Sequence, residues 1–281
     1  MAPWTSFATA NSRFCSSPSV FFAPERFEEY WKIVGQIAKK NGVGVTTNKD
    51  AFHRLIREVL FYDTKTYDLY KNAFILRKRT FYKNGWPETN HELTVKYRHP
   101  EFKEASAVDV NPLIPGERKI KFKEEILPLK NELGGMRSLY SHNCVLYTPN
   151  IVLTQGLADI AKVFPGMQKI GLLPKSKIQL VNHMAVEELQ VNAGVLDFGH
   201  GHEANATIAI WRNRASETSL IGEFAFQAKF KRYEDIHSAA KAKTETFYKA
   251  MQTNAPDWVQ LGTTKTAMIY GMGKTLVRAH E

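Results

Sequence analysis

Two short runs in this chain carry basic residues at every second position. In Phe74 to Tyr82 (FILRKRTFY), Arg77 and Arg79 share a face, because side chains in a strand alternate with a period of two. In His91 to Arg98 (HELTVKYR), Glu92, Thr94, Lys96 and Arg98 share one face, and Leu93, Val95 and Tyr97 the other. An ordinary half-buried strand points its charges at water. The sharper reading is that both polar faces look into one enclosed, positively charged space. Both runs lie within Phe61 to His99, and strands elsewhere decide between the readings.

A third run, Glu117 to Leu127, alternates in the same way. Lys119, Lys121, Lys123 and Glu125 fall on one face, and Ile120, Phe122, Glu124 and Ile126 on the other. A solvated edge strand guarded by lysines explains the lysines about as well as a binding surface does. Further strands are expected at Ile178 to Val191, Ala206 to Arg214 and Leu220 to Phe230. In the second of these, Ile208, Ile210, Arg212 and Arg214 share a face. In the third, Glu223, Ala225, Gln227 and Lys229 oppose Phe224, Phe226, Ala228 and Phe230. A short first strand is expected at Ser19 to Phe22.

Helices separate these runs. Pro24 to Lys40 repeats Phe27, Tyr30, Trp31, Val34, Ile37 and Ala38 at spacings of three and four. Its acids come first and Lys39 and Lys40 last, matching the helix dipole, and Asn41-Gly42 ends it. A second short helix is expected from Asn48 or Asp50 to about Arg57. Asp109 to Gly116 is a Pro- and Gly-rich loop. Asn150 to Phe164 suits an amphipathic helix, within a helical insertion near 130–174. Tyr233 to Met251 reads as helical, and residues 262–271 form a final segment carrying Lys265.

The chain has 281 residues, a formal net charge of +10 and 43% hydrophobic residues, globular values with a bias towards anionic partners. Nucleotides, polyphosphate, nucleic acid and a membrane surface all qualify. Cys15 and Cys144 are too few for a disulfide framework, and a reducing, cytoplasmic setting is the default. One bridge between them stays open. No apolar run reaches the length of about 18 residues that a membrane span needs. Residues 1–24 read as a flexible N-terminal extension; a targeting segment stays open, although Arg13 is the stretch's one basic residue.

Phe61-Tyr62-Asp63-Thr64, Asp68-Leu69-Tyr70, Leu76-Arg77-Lys78-Arg79 and Leu93-Thr94-Val95-Lys96 follow one another in an order that resembles the CYTH, or triphosphate tunnel, superfamily, including its polyphosphate-polymerase-like branch. Val195-Leu196-Asp197, Gly222-Glu223-Phe224 and Thr264-Lys265-Thr266 resemble its downstream elements. The resemblance implies an α+β fold: an antiparallel β tunnel or barrel of about eight strands with flanking helices, as a single domain over 25–281. It implies that Arg77, Arg79, Lys96, Arg98, Lys121, Arg212 and Lys265 bind the phosphates of a triphosphate-containing nucleotide or inorganic polyphosphate. Lys96 and Glu223 would serve the reaction, and Glu125 and Glu223 would hold Mg²⁺ or Mn²⁺.

That implies a metal-dependent phosphohydrolase. Three alternatives stay open: a non-catalytic polyanion- or nucleotide-binding module, a nucleotide cyclase or polyphosphate polymerase on the same scaffold, and a single-stranded nucleic-acid binder. The chain departs from the family in one respect. The expected N-terminal Glu-x-Glu-x-Lys strand is missing; the nearest acids, Glu25, Glu28 and Glu29, sit in a helical pattern. Ala225 also replaces a second glutamate after Glu223. Glu187 or Glu188 and Asp197 are further acids that could converge.

Other motifs have cheaper explanations. Asp63 reads as a turn residue. His200-Gly201-His202, with Asp197 and Glu203 nearby, allows a metal site but is explained more simply by a glycine-rich loop. Gly271-x-Gly273-Lys274-Thr275 lacks the spacing of a phosphate loop.

Overall fold

Strands whose two faces differ this sharply must bury one of them, and here the apolar faces turn outward. The computed structural model describes residues 8–16, 23, 25–149, 153, 156–169, 176–230 and 233–272. Its elements begin with β1 (Ala8–Ser16), α1 (Glu25–Lys40), β2 (Gly44–Thr47), β3 (Leu55–Thr64) and α2 (Asp68–Lys71). There follow β4 (Phe74–Lys83), β5 (Trp86–His99), α3 (Phe102–Ala107), β6 (Arg118–Leu127), β7 (Arg137–Tyr147) and α4 (Leu157–Val163). The C-terminal part contains β8 (Ile178–Leu180), β9 (Val186–Asp197), β10 (Glu203–Asn213), β11 (Ser219–Phe230), α5 (Ser238–Asn254) and α6 (Lys265–Gly271).

The strand order is β2-β9-β10-β11-β1-β6-β7-β5-β4-β3-β8, and an extra pairing of β9 with β3 closes the sheet on itself. Nine strands therefore form a barrel, and β2 and β8 hang on it. Among the described residues, β1 and β6 are the one parallel pair; the other pairings are antiparallel. The expected α+β barrel with flanking helices is present, with one more strand than expected and a mixed sheet.

Three apolar clusters wrap the outside. Phe27, Tyr30, Trp31 and Val34 of α1, with Phe247 and Tyr248 of α5, cover Ile208, Phe224 and Phe226 on β10 and β11. Each such side chain contributes roughly 1.5–3 kcal/mol on full burial. Leu157 and Ile160 of α4 cover Leu76, Leu93 and Val95. Around α6, Tyr270 stacks on Tyr70 at 4.0 Å and meets Phe61 edge-on. The outward faces of β4 and β5 are thus the real core, and their Arg and Lys faces are left pointing inward.

Several expectations change. Ala8–Ser16, within the stretch read as a flexible extension, is a barrel strand paired on both sides. Its sequence lacks apolar alternation, so composition suggested a tail. The proposed strand Ser19 to Phe22 lies outside the described residues, as does Gly273-Lys274-Thr275. No helix forms over Asn48–Arg57; turns lead into β3, whose Arg57 pairs with Phe81 of β4 and Glu188 of β9. The helical insertion is shorter than 130–174, because β7 occupies Arg137–Tyr147 between β5 and β6. Ile178 to Val191 splits into β8, a 3₁₀ turn and the start of β9. Cys15 and Cys144 are both buried and are not joined by a disulfide. No helix among the described residues is long and apolar enough to cross a membrane.

One glycine sets how closely α1 lies on the barrel. A Cβ at Gly194 on β9 would collide with the Thr46 carbonyl oxygen and lie 2.7 Å from the Trp31 ring. Gly194→Ala is expected to destabilise the fold by about 1–3 kcal/mol. Gly35 in the middle of α1 faces open space, so Gly35→Ala is expected to stabilise by about 0.5–1 kcal/mol. Urea denaturation of both variants reads the contrast; equal shifts would contradict this packing.

Candidate functional site

Period-two alternation, enforced by closure, aims one face of every barrel strand at the axis. The lumen is a cavity of about 560 Å³, within the range of roughly 300–1,000 Å³ typical of small-molecule sites. Ten lysine and arginine side chains line it against four glutamates, a formal excess of six positive charges. Burial grades along its length. Around Thr264 and Thr266 at the start of α6 the walls are buried, whereas Asn205 and Lys229 at the other end are exposed.

The deep part is a continuous ion network. Glu125, 1% exposed, meets Lys96 at 2.5 Å, Arg98 at 3.2 Å and Arg13 at 3.7 Å. Arg13 also reaches Glu223 at 3.7 Å, and Glu223 takes Lys265 at 2.8 Å. Lys265 continues to Glu188 at 3.1 Å and sits over the Trp211 ring at 4.7 Å. Glu188, also 1% exposed, accepts the Trp211 indole N–H at 2.8 Å, and its other oxygen faces Arg57 and Arg79 at 3.4 Å. Three carboxylates thus neutralise part of a six-cation ring drawn from β1, β3, β4, β5 and α6.

Burial alone would raise these carboxyls, but the cations overcome it. Arg13, Lys96 and Arg98 hold Glu125 well below its ordinary value, and Arg79, Lys265 and Arg57 do the same for Glu188. Glu223 is lowered as well, by Lys265 and Arg13.

Elsewhere in the lumen the balance changes. Among the described residues, Arg77, Lys121, Lys123 and Lys229 line the cavity without an ion pair. Arg77 has only a long hydrogen bond, 3.4 Å, to the Thr94 hydroxyl. Burial, with Arg79 beside it, lowers Arg77 to about 9. Burial and then Arg13 bring Lys123 down to about 7. Lys121 is lowered by burial and by Lys119. The Nε–H groups of Arg57, Arg77 and Arg79 are buried with no acceptor. Such orphaned donors cost energy until an acceptor arrives.

Every residue expected at the site except Arg212 faces this lumen: Arg77, Arg79, Lys96, Arg98, Lys121, Lys265, Glu125 and Glu223. Arg212 shares its parity with Ile208 and Ile210, whose face packs against the outer core, and it pairs with Glu187 at 3.0 Å on the outside. Glu188, one residue on, points in. Arg13 and Arg57 join the lumen unexpectedly, the first hidden in an apparent tail and the second in an apparent helix.

Asp63, next to last in β3, is a structural hydrogen-bonding residue. It accepts the backbone N–H groups of Thr64, Leu69 and Tyr70 at 2.7–2.9 Å, which fixes α2. His200 and Gly201 form the turn between β9 and β10, with positive φ values of 54° and 72°. Asp197 there accepts the Gly199 N–H, and His200 stacks on His237 at 3.7 Å.

The three paired carboxylates of the lumen do not fit a divalent ion, and the fourth, Glu92, belongs to no group of acids among the described residues that could hold one. A hard cation needs several carboxylate or carbonyl oxygens converging at 2.0–2.6 Å. Glu125, Glu188 and Glu223 each face two or more cationic side chains. Among the described residues, no three His, Cys, Asp or Glu side chains converge on a point that could hold a metal. The strand nearest the N-terminus brings Arg13 and Cys15 to the lumen, where a Glu-x-Glu-x-Lys strand would bring acids.

No protein-family model matches the chain, and no curated protein does. Among solved structures it is similar to HpAC1 from Hippeastrum, described as a candidate adenylyl cyclase with a dominant triphosphatase activity. That match has a TM-score of 0.42 and 12% identity over 95% of this chain and 96% of the other. A candidate adenylate cyclase from Bacillus halodurans matches at 0.36 and 9% identity, over 91% and 93% of the two chains. The PH1819 protein of Pyrococcus horikoshii matches at 0.35 and 10%, over 94% and 99%. Likeness at these scores carries no argument about activity.

Because the folded values of Glu125, Glu188 and Glu223 lie below their ordinary 4.5, their stabilisation is complete above pH 4.5 and is lost as pH falls through the folded values. Glu125→Gln is expected to cost about 3 kcal/mol or more at pH 7, since Arg13, Lys96 and Arg98 lose a buried partner. Its urea-denaturation stability should converge on the wild type as pH drops below 4.5. Parallel curves would refute the ion-pair role.

Proposed function

We propose that this barrel binds a linear triphosphate group, as free tripolyphosphate, as the end of a polyphosphate chain or on a nucleotide, and that it acts as a binding module. The observation that carries the reading is the set of lumen cations left unneutralised, Arg77, Lys121 and Lys123, together with the orphaned Nε–H groups of Arg57, Arg77 and Arg79. A chain of phosphates presents several negative oxygens in a row, and guanidinium and ammonium donors at strand spacing match such a row. Enclosure matters too, because buried charges are screened far less by salt than surface ones.

A nucleic-acid-binding sheet would offer its basic rows and aromatic rings on an open surface. Here the basic rows of β4, β5 and β6 face into a closed barrel. A metal-dependent phosphohydrolase, cyclase or polymerase would require carboxylates able to take a divalent ion, whereas three of the four in this lumen hold lysines and arginines. Binding without turnover is the function this arrangement supports best.

Calorimetry with tripolyphosphate tests the reading. Arg77→Ala is expected to weaken binding by about tenfold or more, the scale of a lost charged hydrogen bond, while Arg212→Ala on the outside leaves it unchanged. Phosphate release from tripolyphosphate and nucleoside triphosphates, with and without Mn²⁺, should stay at background. No binding, or equal effects of the two substitutions, would refute the lumen site, and robust turnover would refute the module reading.

Lys123 adds a pH signature. With its value near 7, this lysine is largely neutral at pH 8, and a bound anion favours its charged form. Binding is therefore expected to take up protons at pH 8 and to weaken as pH rises above 7. Calorimetry in buffers of different ionisation enthalpy measures that uptake, which should shrink in Lys123→Met. Uptake unchanged in that variant would remove Lys123 from the site.

A further inference from the structure

We infer that three of the lumen's four glutamates, Glu125, Glu188 and Glu223, are built-in counter-ions, so that the phosphate ligand binds as the metal-free anion and a divalent cation opposes binding. The inference rests on the phosphate reading above and concerns the ionic form that the same site selects.

The division of charge along the cavity carries it. Glu125, Glu223 and Glu188 are joined through Arg13 and Lys265 into one chain of contacts between 2.5 and 3.7 Å. A carboxylate oxygen facing an ammonium at 2.8 Å, as Glu223 faces Lys265, cannot also face a divalent ion without placing two cations against each other. Among the described residues, four lumen cations, Arg77, Lys121, Lys123 and Lys229, make no ion pair with this chain of contacts. A phosphate chain lying against them meets fixed positive charge already in place. Magnesium bound to that chain would cancel part of the ligand charge these four groups attract, and the one lumen carboxylate outside the network, Glu92, belongs to no group of acids among the described residues that could complete a site for the ion.

The same geometry makes Glu223 a specificity determinant of opposite sign to a metal ligand. Arg13 keeps Glu125 and Lys265 keeps Glu188 when Glu223 is neutralised, so the network is thinned rather than orphaned. Losing one negative charge from a low-dielectric cavity should then strengthen the hold on a polyanion.

Calorimetry with sodium tripolyphosphate, in EDTA and again with excess Mg²⁺, tests this on the full chain. Wild type is expected to bind in EDTA, and about tenfold more weakly with Mg²⁺. Glu223→Gln is expected to bind in EDTA at least several-fold more tightly than wild type. Electron paramagnetic resonance of Mn²⁺ added to the ligand-free wild type should show only the free ion. That last measurement stands even where Glu223→Gln fails to fold. Binding that requires Mg²⁺ or Mn²⁺, a bound Mn²⁺ signal, or weaker binding by a folded Glu223→Gln each overturns the inference while leaving the phosphate reading intact. Absence of tripolyphosphate binding in both arms overturns the phosphate reading and this inference together.

Discussion

Arg13 holds together the two seams on which this barrel depends. Its strand, β1, lies parallel to β6 on one side and antiparallel to β11 on the other. Its guanidinium reaches Glu125 on the first neighbour and Glu223 on the second. Burying a charge costs several kcal/mol unless opposite charge is close, so a strand that inserts an arginine here requires acids on both flanks. From those acids the contacts spread to Lys96, Arg98, Lys265, Glu188, Arg57 and Arg79. Neutralisation is mutual: Glu125 and Glu188 each hold three cations, so losing either acid leaves buried cations without their partner.

Such a lumen cannot supply the hydrophobic stability of an ordinary core. The apolar work is done outside, where α1 and α5 cover one side of the barrel, α4 another, and α6 with α2 the region around Tyr70 and Tyr270. Inside-out strands follow from this arrangement: Leu76 and Val95 face helices, while Arg77 and Lys96 face the axis. The helices therefore determine which face of each strand is inward, and through that they place the charged rows.

Much of this was legible because period two is clear in strands such as β4, β5 and β6, whose charged and apolar residues largely alternate, with Lys78 and Glu124 as exceptions. α1 was legible for the same reason at its own period. β1 was not, because alanine, serine and threonine carry little contrast between faces, and Arg13 looked like a solitary charge in a tail. Arg57 was masked by Phe52 and Leu55, whose spacing of three imitates a helix. Arg212 was misplaced for another reason. A basic residue on a strand of a suspected tunnel invites an inward reading, yet its parity is that of Ile208 and Ile210, which belong to the outer core. Glu187 and Glu188 show how sharp the rule is: adjacent in sequence, one pairs with Arg212 outside and the other with Lys265 inside.

Acidic residues in a basic tunnel are ambiguous in sequence, since a metal ligand and an internal counter-ion call for the same glutamate on the same face. What separates them is the count of cations within reach. Three glutamates tie up six of the ten lumen cations, enough for the deep part of the barrel to fold without a ligand. Each further glutamate would reduce the remaining positive excess, and each one fewer would leave neighbouring cations to repel each other in a low dielectric. Burial lowers Arg77 and Lys123, and it lowers Lys96 well below its ordinary value even beside Glu125, so desolvation is the cost of a charged lumen throughout. Placement of Glu125, Glu188 and Glu223 therefore determines which lumen cations are paired and which keep their charge uncompensated.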